Sequence, residues 1–186
     1  QGIRSSVTGF SDAWFDVSLD GGVTWGTDRS AYVTNVAAFR DPFAASTCGT
    51  QYCVPAAPDR GIGPWASINV DRSGGPFNGR VYMTMVDQAD LDGNPDSGNA
   101  VDHDNTDVFI LYSDNQGQTW TGPIRVNDDA TQNSQFIPWL DVDQVTGTLA
   151  VSWHDTRDDA ANERVAMYMT ASYDGGNTFE PSVRVA

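Results

Sequence analysis

The sequence predicts an all-β fold of short antiparallel strands grouped in fours, and three observations carry that expectation. First, no stretch keeps apolar residues at i, i+3, i+4 and i+7 for three turns; Asp155–Arg164 has room for one helical turn at most. Second, 18 Gly and 9 Pro are spread along the chain, so they punctuate many short elements. Third, strand-like runs recur in two series of four. One series is Trp65–Val70, Arg80–Val86, Asp107–Ser113 and Gly122–Val126; the other is Phe136–Val142, Thr148–Trp153, Val165–Ser172 and Pro181–Val185. Trp65 through Asp71 echoes Trp139 through Asp143, and Gly79-Arg80-Val81-Tyr82 echoes Gly147-Thr148-Leu149-Ala150.

A turn pattern repeats with the strands. Val17–Trp25, Tyr112–Trp120 and Ala171–Phe179 share Ser, Asp, Gly, Thr and an aromatic in that order. Asp20 and Asp174 are followed directly by Gly-Gly, while Asp114 is followed by Asn-Gln-Gly, so this alignment gives the middle copy one extra residue. The composition has a physical reason. An Asp at the start of a tight turn accepts hydrogen bonds from the turn's own N–H groups, and Gly supplies the positive φ. The closing Thr and aromatic begin a strand whose ring can bury against a neighbouring sheet. Four-stranded units in series are the signature of propeller blades. The expected architecture is therefore a partial β-propeller of about two full blades plus part of another. Its divisions are a blade remnant over 1–37, an inserted inter-blade loop over 38–62, and blades over 63–127 and 128–186. Such a piece alone would expose sheet edges and apolar flanks. Either a longer polypeptide, or other subunits, or strands within 31–61 would have to complete it.

The turn pattern resembles the Asp-box, or bacterial neuraminidase repeat, of the sialidase-like superfamily. Ser18, Asp20, Gly22, Thr24 and Trp25 fit it. Ser172, Asp174, Gly176, Thr178 and Phe179 fit with Phe for Trp, and Ser113, Asp114, Gly117, Thr119 and Trp120 fit with the extra residue. The resemblance covers about residues 12–30 and 62–186. It implies a propeller whose Asp-box turns are folding devices on the face away from any active site. That fold serves sialidases, sortilin-type receptors, xyloglucan hydrolases and assembly factors, so it does not fix the function.

Composition narrows the partners. Acidic residues number 25 against 10 basic, for a net charge of −15 and a pI near 4.1. All the acids but Glu163 and Glu180 are Asp, and every basic residue is Arg. Asp is a turn and metal-ligand residue, so the charge sits in loops. A surface this acidic repels nucleic acid and anionic lipid and suits Ca²⁺ or a salty exterior; the alternative is solubility alone. Cys48 and Cys53 flank a four-residue loop. They read as a local disulfide in an extracellular or secreted protein, the alternative being two free buried thiols. No apolar run approaches the ~20 residues needed to span a membrane. No signal peptide is visible at Gln1, so the chain reads as a mature form or a fragment.

Three stretches could carry chemistry. Asp90, Asp92, Asn94 and Asp96 place hard oxygen ligands at alternate positions beside Gly93, as Ca²⁺ loops do; no Glu follows at the twelfth position, and the alternative is a solvated acidic loop. Trp153-His154-Asp155-Thr156-Arg157-Asp158 resembles the Trp-x-Asp-x-Arg stretch of sialidase-like propellers. By that resemblance Arg157 would clamp a carboxylate and Asp155 would be an acid or hydroxyl acceptor, with His154 and Asp158 in ligand contact; the alternative is a structural ion pair. Phe39-Arg40-Asp41-Pro42 resembles the motif that supplies a sialidase's first catalytic Arg, with the wrong middle residue; the alternative is an inter-blade turn. No Tyr–Glu nucleophile pair is identifiable, since Glu180 follows an Asp-box and Glu163 has no Tyr partner. No phosphate loop, nucleophile elbow or zinc motif is present, and no organic cofactor is implied. The functional expectation is an extracellular, sialidase-like propeller that recognises carbohydrate or glycoconjugate, as part of an exo-glycosidase. The alternatives are a non-catalytic, Ca²⁺-stabilised binding propeller and a structural or assembly subunit.

Overall fold

The computed structural model describes residues 2–5, 11–34, 52–63, 65–88 and 106–186. Among these there is no helix, and every strand pairing is antiparallel. A first sheet joins β1 (Gly2–Ser5), β2 (Ser11–Phe15) and β3 (Arg29–Val33). A hairpin pairs β4 (Tyr52–Val54) with β5 (Ala57–Ile62). The middle sheet runs β6 (Ser67–Val70), β7 (Val81–Gln88), β8 (Thr106–Ser113), β9 (Thr121–Arg125). The last sheet runs β10 (Gln135–Val142), β11 (Leu149–Asp155), β12 (Ala166–Ser172), β13 (Val183–Arg184). Each four-stranded sheet keeps its strands in chain order, as consecutive antiparallel strands do when short turns join them.

One expected boundary changes. The stretch 38–62 reads as a loop in the sequence, yet its second part holds the β4–β5 hairpin. Val54 and Ile62 of that hairpin pack on Val86 and Phe136, which explains why a short pair of strands persists there. The region 35–51, with Arg40 and Cys48, lies outside the described residues, as do the Cys53 side chain and the acidic loop with Asp90, Asp92, Asn94 and Asp96.

Strand alternation builds the layers. On β11, Leu149, Val151, Trp153 and Asp155 are buried while the intervening residues are only half-buried. The buried set faces the middle sheet, where Tyr82, Val108 and Ile110 complete one apolar cluster with Leu140, Val142 and Tyr168. The middle sheet is covered on both faces: Met83 of β7 packs the other way, on Ala13 and Phe15 of the first sheet. The three sheets therefore stack in chain order, with the central strands β7 and β8 of the middle one covered on both faces.

The three Ser-containing turns share one hydrogen-bond scheme. In the first, Ser18 Oγ donates to Asp20 Oδ1 (2.8 Å) and accepts from the Gly22 N–H (2.7 Å). Asp20 accepts from the Thr24 N–H (2.9 Å) and hydroxyl (2.5 Å). In the last, Ser172, Asp174, Gly176 and Thr178 repeat this scheme. The middle turn corrects the sequence alignment. Asn115, not Asp114, occupies the aspartate position: its Oδ1 accepts from Ser113 Oγ (2.9 Å) and the Thr119 N–H (2.9 Å). There is no extra residue: the asparagine oxygen accepts the serine and backbone bonds of the carboxylate, and only the threonine bond reverses, the Asn115 amide donating to the Thr119 hydroxyl (2.8 Å). The neighbouring Asp114 points elsewhere and takes a two-pronged pair from Arg80 (2.7 and 2.8 Å).

The turns also join the sheets. Gly117 (φ +78°) lies against the preceding sheet so closely that an added Cβ would come within 2.2 Å of the Phe15 ring, and Trp120 meets the same ring edge-on at 5.3 Å. In the last turn, Gly175 receives the Arg80 guanidinium on its carbonyl (2.7 Å), and Tyr112 donates to Asn177 Oδ1 (2.9 Å). The first turn has no sheet before it among the described residues, and Gly22 (φ +92°) meets only its own Trp25 at 3.9 Å. Gly22→Ala should therefore cost only the strain of positive φ, about 1–2 kcal/mol. Gly117→Ala adds overpacking against Phe15 and should cost about 2–5 kcal/mol. Thermal melts of the two variants check the difference; equal losses would contradict the seating of the second turn.

Candidate functional site

The polar groups gather at the strand ends opposite the three turns. β11 starts at Leu149, beside Ser172 and its turn, and ends at Asp155. There Asp155 is fully buried, and burial of a carboxylate requires compensation. It receives that from four hydrogen bonds, donated by the Trp153 indole (2.7 Å), the Gln135 amide (3.2 Å), the Arg157 N–H (2.8 Å) and Arg157 Nε (2.8 Å), and from the charge of the guanidinium, whose Nη2 lies 2.8 Å away. Arg157 continues to Asp128 (2.8 Å), Ser182 (3.0 Å) and, at 3.6 Å, Asp129, and it lies 4.3 Å over the Tyr168 ring. A second pair sits at the same end of the middle sheet. Arg125 reaches fully buried Asp107 (2.8 Å), and Asn127 links Asp107 (2.5 Å), Asp129 (2.8 Å) and Gln135 (3.1 Å). One network thus ties the middle and last sheets together.

The structure brings Asp155 and Arg157 into contact, but as an ion pair. The guanidinium that would have to fork onto a ligand carboxylate is turned toward Asp155, Asp128 and Asp129. His154 does not join them. Alternation puts it on the opposite face of β11, stacked on Phe136 at 5.7 Å. Asp158 accepts from the Tyr168 hydroxyl (3.0 Å to each oxygen) and pairs with Arg184 (3.2 Å). Sequence reasoning missed Asn127, Asp128 and Asp129, whose only signal is an Asn-Asp-Asp run after a strand, and Gln135, which has none. Among the described residues no group of three or more His, Cys, Asp or Glu side chains is placed to hold a metal ion.

The network sets the charge states. Partial burial pushes the Asp128 carboxyl up, but the hydroxyl of Ser182 and the guanidinium of Arg157 outweigh it and hold the pKa at about 2. Burial works against the charge on Arg157, yet hydrogen bonds to Asp155 and Asp128 raise its pKa. Burial raises Asp107, against the pull of Asn127 and Arg125. In the turns, the hydroxyls and N–H groups of Thr24 and Thr178 lower Asp20 and Asp174 to about 2.

The comparisons with known proteins define the fold. No protein-family model matches the chain, and no curated protein sequence matches it. Among solved structures the chain is similar to a Hadza microbial sialidase, with a TM-score of 0.52 at 17% identity over 91% of this chain and 30% of that one. It is similar to an α-L-arabinofuranosidase from Fusarium graminearum, with a TM-score of 0.51 at 16% identity over 94% of this chain and 44% of that one. A protein of unknown function from Dyadobacter fermentans gives 0.49 at 18% identity, over 92% and 37%. The likeness is one of fold: this chain shares the β architecture of two carbohydrate-active enzymes. It spans less than half the length of each of these structures.

Two outcomes follow from the site. The carboxyls of Asp20, Asp128 and Asp174 are depressed from 3.8 to about 2, so the unfolded chain takes up protons first as pH falls. Their stabilisation is complete above about pH 4 and is lost toward pH 2, while raised Asp107 works in the opposite sense. Urea unfolding across this window should show stability falling with pH, and Asp128→Asn should flatten that slope. Arg157→Ala strands buried Asp155 and should cost about 3–5 kcal/mol, whereas Asp155→Asn combined with Arg157→Leu should cost less. Denaturant melts that rank the double variant as the weaker would contradict the ion-pair assignment.

Proposed function

We propose that the chain is part of an extracellular, sialidase-like Asp-box propeller that recognises carbohydrate within a larger glycoside-processing protein. The observation that carries this reading is the shared fold with a sialidase and an arabinofuranosidase over more than nine-tenths of the chain. Three stacked antiparallel sheets and the repeated Ser-Asp or Ser-Asn turn support the propeller. The sugar-binding end is the one away from the turns, and Asp155 with Arg157 supports it from beneath by fixing the loops. At that end the side chains of Arg125, Asp128, Asp158 and Arg184 keep solvent access, at 38, 43, 43 and 59%, and of these Arg125 and Asp158 are assigned to sugar carboxylates and hydroxyls.

A second reading is a non-catalytic binding or assembly propeller, with Ca²⁺ held by Asp90, Asp92, Asn94 and Asp96. The locked guanidinium of Arg157 favours it over an Arg clamp for catalysis. Hydrolysis of fluorogenic sialosides and arabinofuranosides separates the two; no turnover with retained binding selects the second. A fall in melting temperature with EGTA is the outcome expected of the calcium loop, and no shift removes it.

On a glycan panel, the chain should bind sialylated or arabinosylated ligands. Arg125→Ala and Asp158→Asn should each weaken binding about ten- to hundredfold, the loss of one hydrogen bond to a charged group. No binding to any panel member would remove the carbohydrate reading.

A further inference from the structure

On the outer rim, the joint between the middle and last sheets opens into a groove of about 370 Å³, between β9 and the segment leading into β13. That size lies within the range of cavities that take small molecules. Both walls meet at an internal joint, so the groove does not depend on what stands beyond the first or the last sheet. Its floor is apolar: Val126 belongs to the core cluster, and Ile124 and Phe179 pack against that cluster from the rim. Its walls are polar. Arg125 reaches Asp107 and Asp129 through Nη2 alone, so among the described residues the N–H groups of Nε and Nη1 have no protein acceptor. Glu180 is exposed on the other wall, and among the described residues its carboxylate has no donor. An added peptide strand does not suit this place. Pro123, which has no N–H, and a register break between Ile124 and Thr121 interrupt the outer edge of β9.

We propose that this groove is a subsite for a neutral sugar unit, and that the ligand of the adjoining charged end is therefore an oligosaccharide, not a single sugar. The inference rests on the carbohydrate reading above. A sugar ring carries hydroxyls round its edge and C–H groups on its faces. Laid in the groove, one face covers Ile124 and Phe179, while edge hydroxyls donate to Glu180 and accept from Arg125. The unit is neutral because Asp128 and Glu180 both border the groove and repel an anion, and Arg125 already faces Asp107. Arg125 and Asp128 also stand at the strand end opposite the turns, so consecutive units of one glycan chain can occupy the groove and that end together.

Isothermal titration of the protein with two series of ligands tests this: arabinose with its oligomers, and sialic acid with sialyllactose. In the series that binds, affinity should rise about tenfold or more from the single sugar to the longer ligand. Glu180→Ala should weaken the longer ligand about ten- to hundredfold, the loss of a hydrogen bond to a charged group, and leave the single sugar unchanged. Because the Glu180 carboxylate has no donor among the described residues, this variant should melt with the parent. The length series in the unaltered protein decides the matter by itself if the variant does not. Longer ligands that bind no tighter than the single sugar, or full affinity for them in Glu180→Ala, would overturn the subsite and leave the carbohydrate reading standing. No binding in either series would overturn both.

Discussion

The structure depends on a turn that satisfies its own polar groups and can therefore be pressed against an apolar sheet. Six residues of exposed backbone would ordinarily be costly to cover, because each unpaired N–H loses its bond to water. Ser172 and Asp174 remove that obstacle: between them they accept from Gly176, Asn177 and Thr178 without help from any other sheet. The closing aromatic then contributes apolar area, and the glycine lets backbone approach ring. The same construction serves at Phe15 and at Tyr82, so one local rule produces the regular stacking of the sheets.

At the opposite strand ends the problem is reversed, since charge is buried there. Asp155 and Asp107 are both fully enclosed. Each is matched by an arginine and by a neutral amide donor, Gln135 of the paired strand β10 for Asp155 and Asn127 of the loop after β9 for Asp107. An ion pair of this kind is weak evidence for stability, since desolvation opposes the attraction, but removing one partner is costly. Its clearer consequence is geometric: the loops after β9 and β11 are held at fixed positions by shared aspartates. The proposed sugar-binding end thus has a rigid floor.

Much of the fold was legible because its signals are local. Strand limits read from the sequence, such as Asp107–Ser113 and Phe136–Val142, lie within one residue of β8 and β10. The turns were legible because Ser, Gly, Thr and an aromatic each meet a separate requirement of backbone or packing. The middle turn was misaligned because identity outweighed chemistry: Asp114 matched the letter, while Asn115 had the oxygen at the right position. The candidate site was less legible, since it depends on contacts distant in sequence. Nothing local says that Arg157 meets Asp128, or that Gln135 meets Asp155. The hairpin over 52–62 was missed for the same reason, its stability coming from Val86 and Phe136.

The account stands on cross-sheet seating of the turns, and a double-mutant cycle between Phe15 and Trp120 measures it most directly. Replacing each residue with Leu, singly and together, should give a coupling of about 0.5–1.5 kcal/mol, as expected of an edge-to-face aromatic pair. Additive losses, with no coupling outside error, would show that the second turn does not rest on the first sheet, and the stacked architecture would be contradicted.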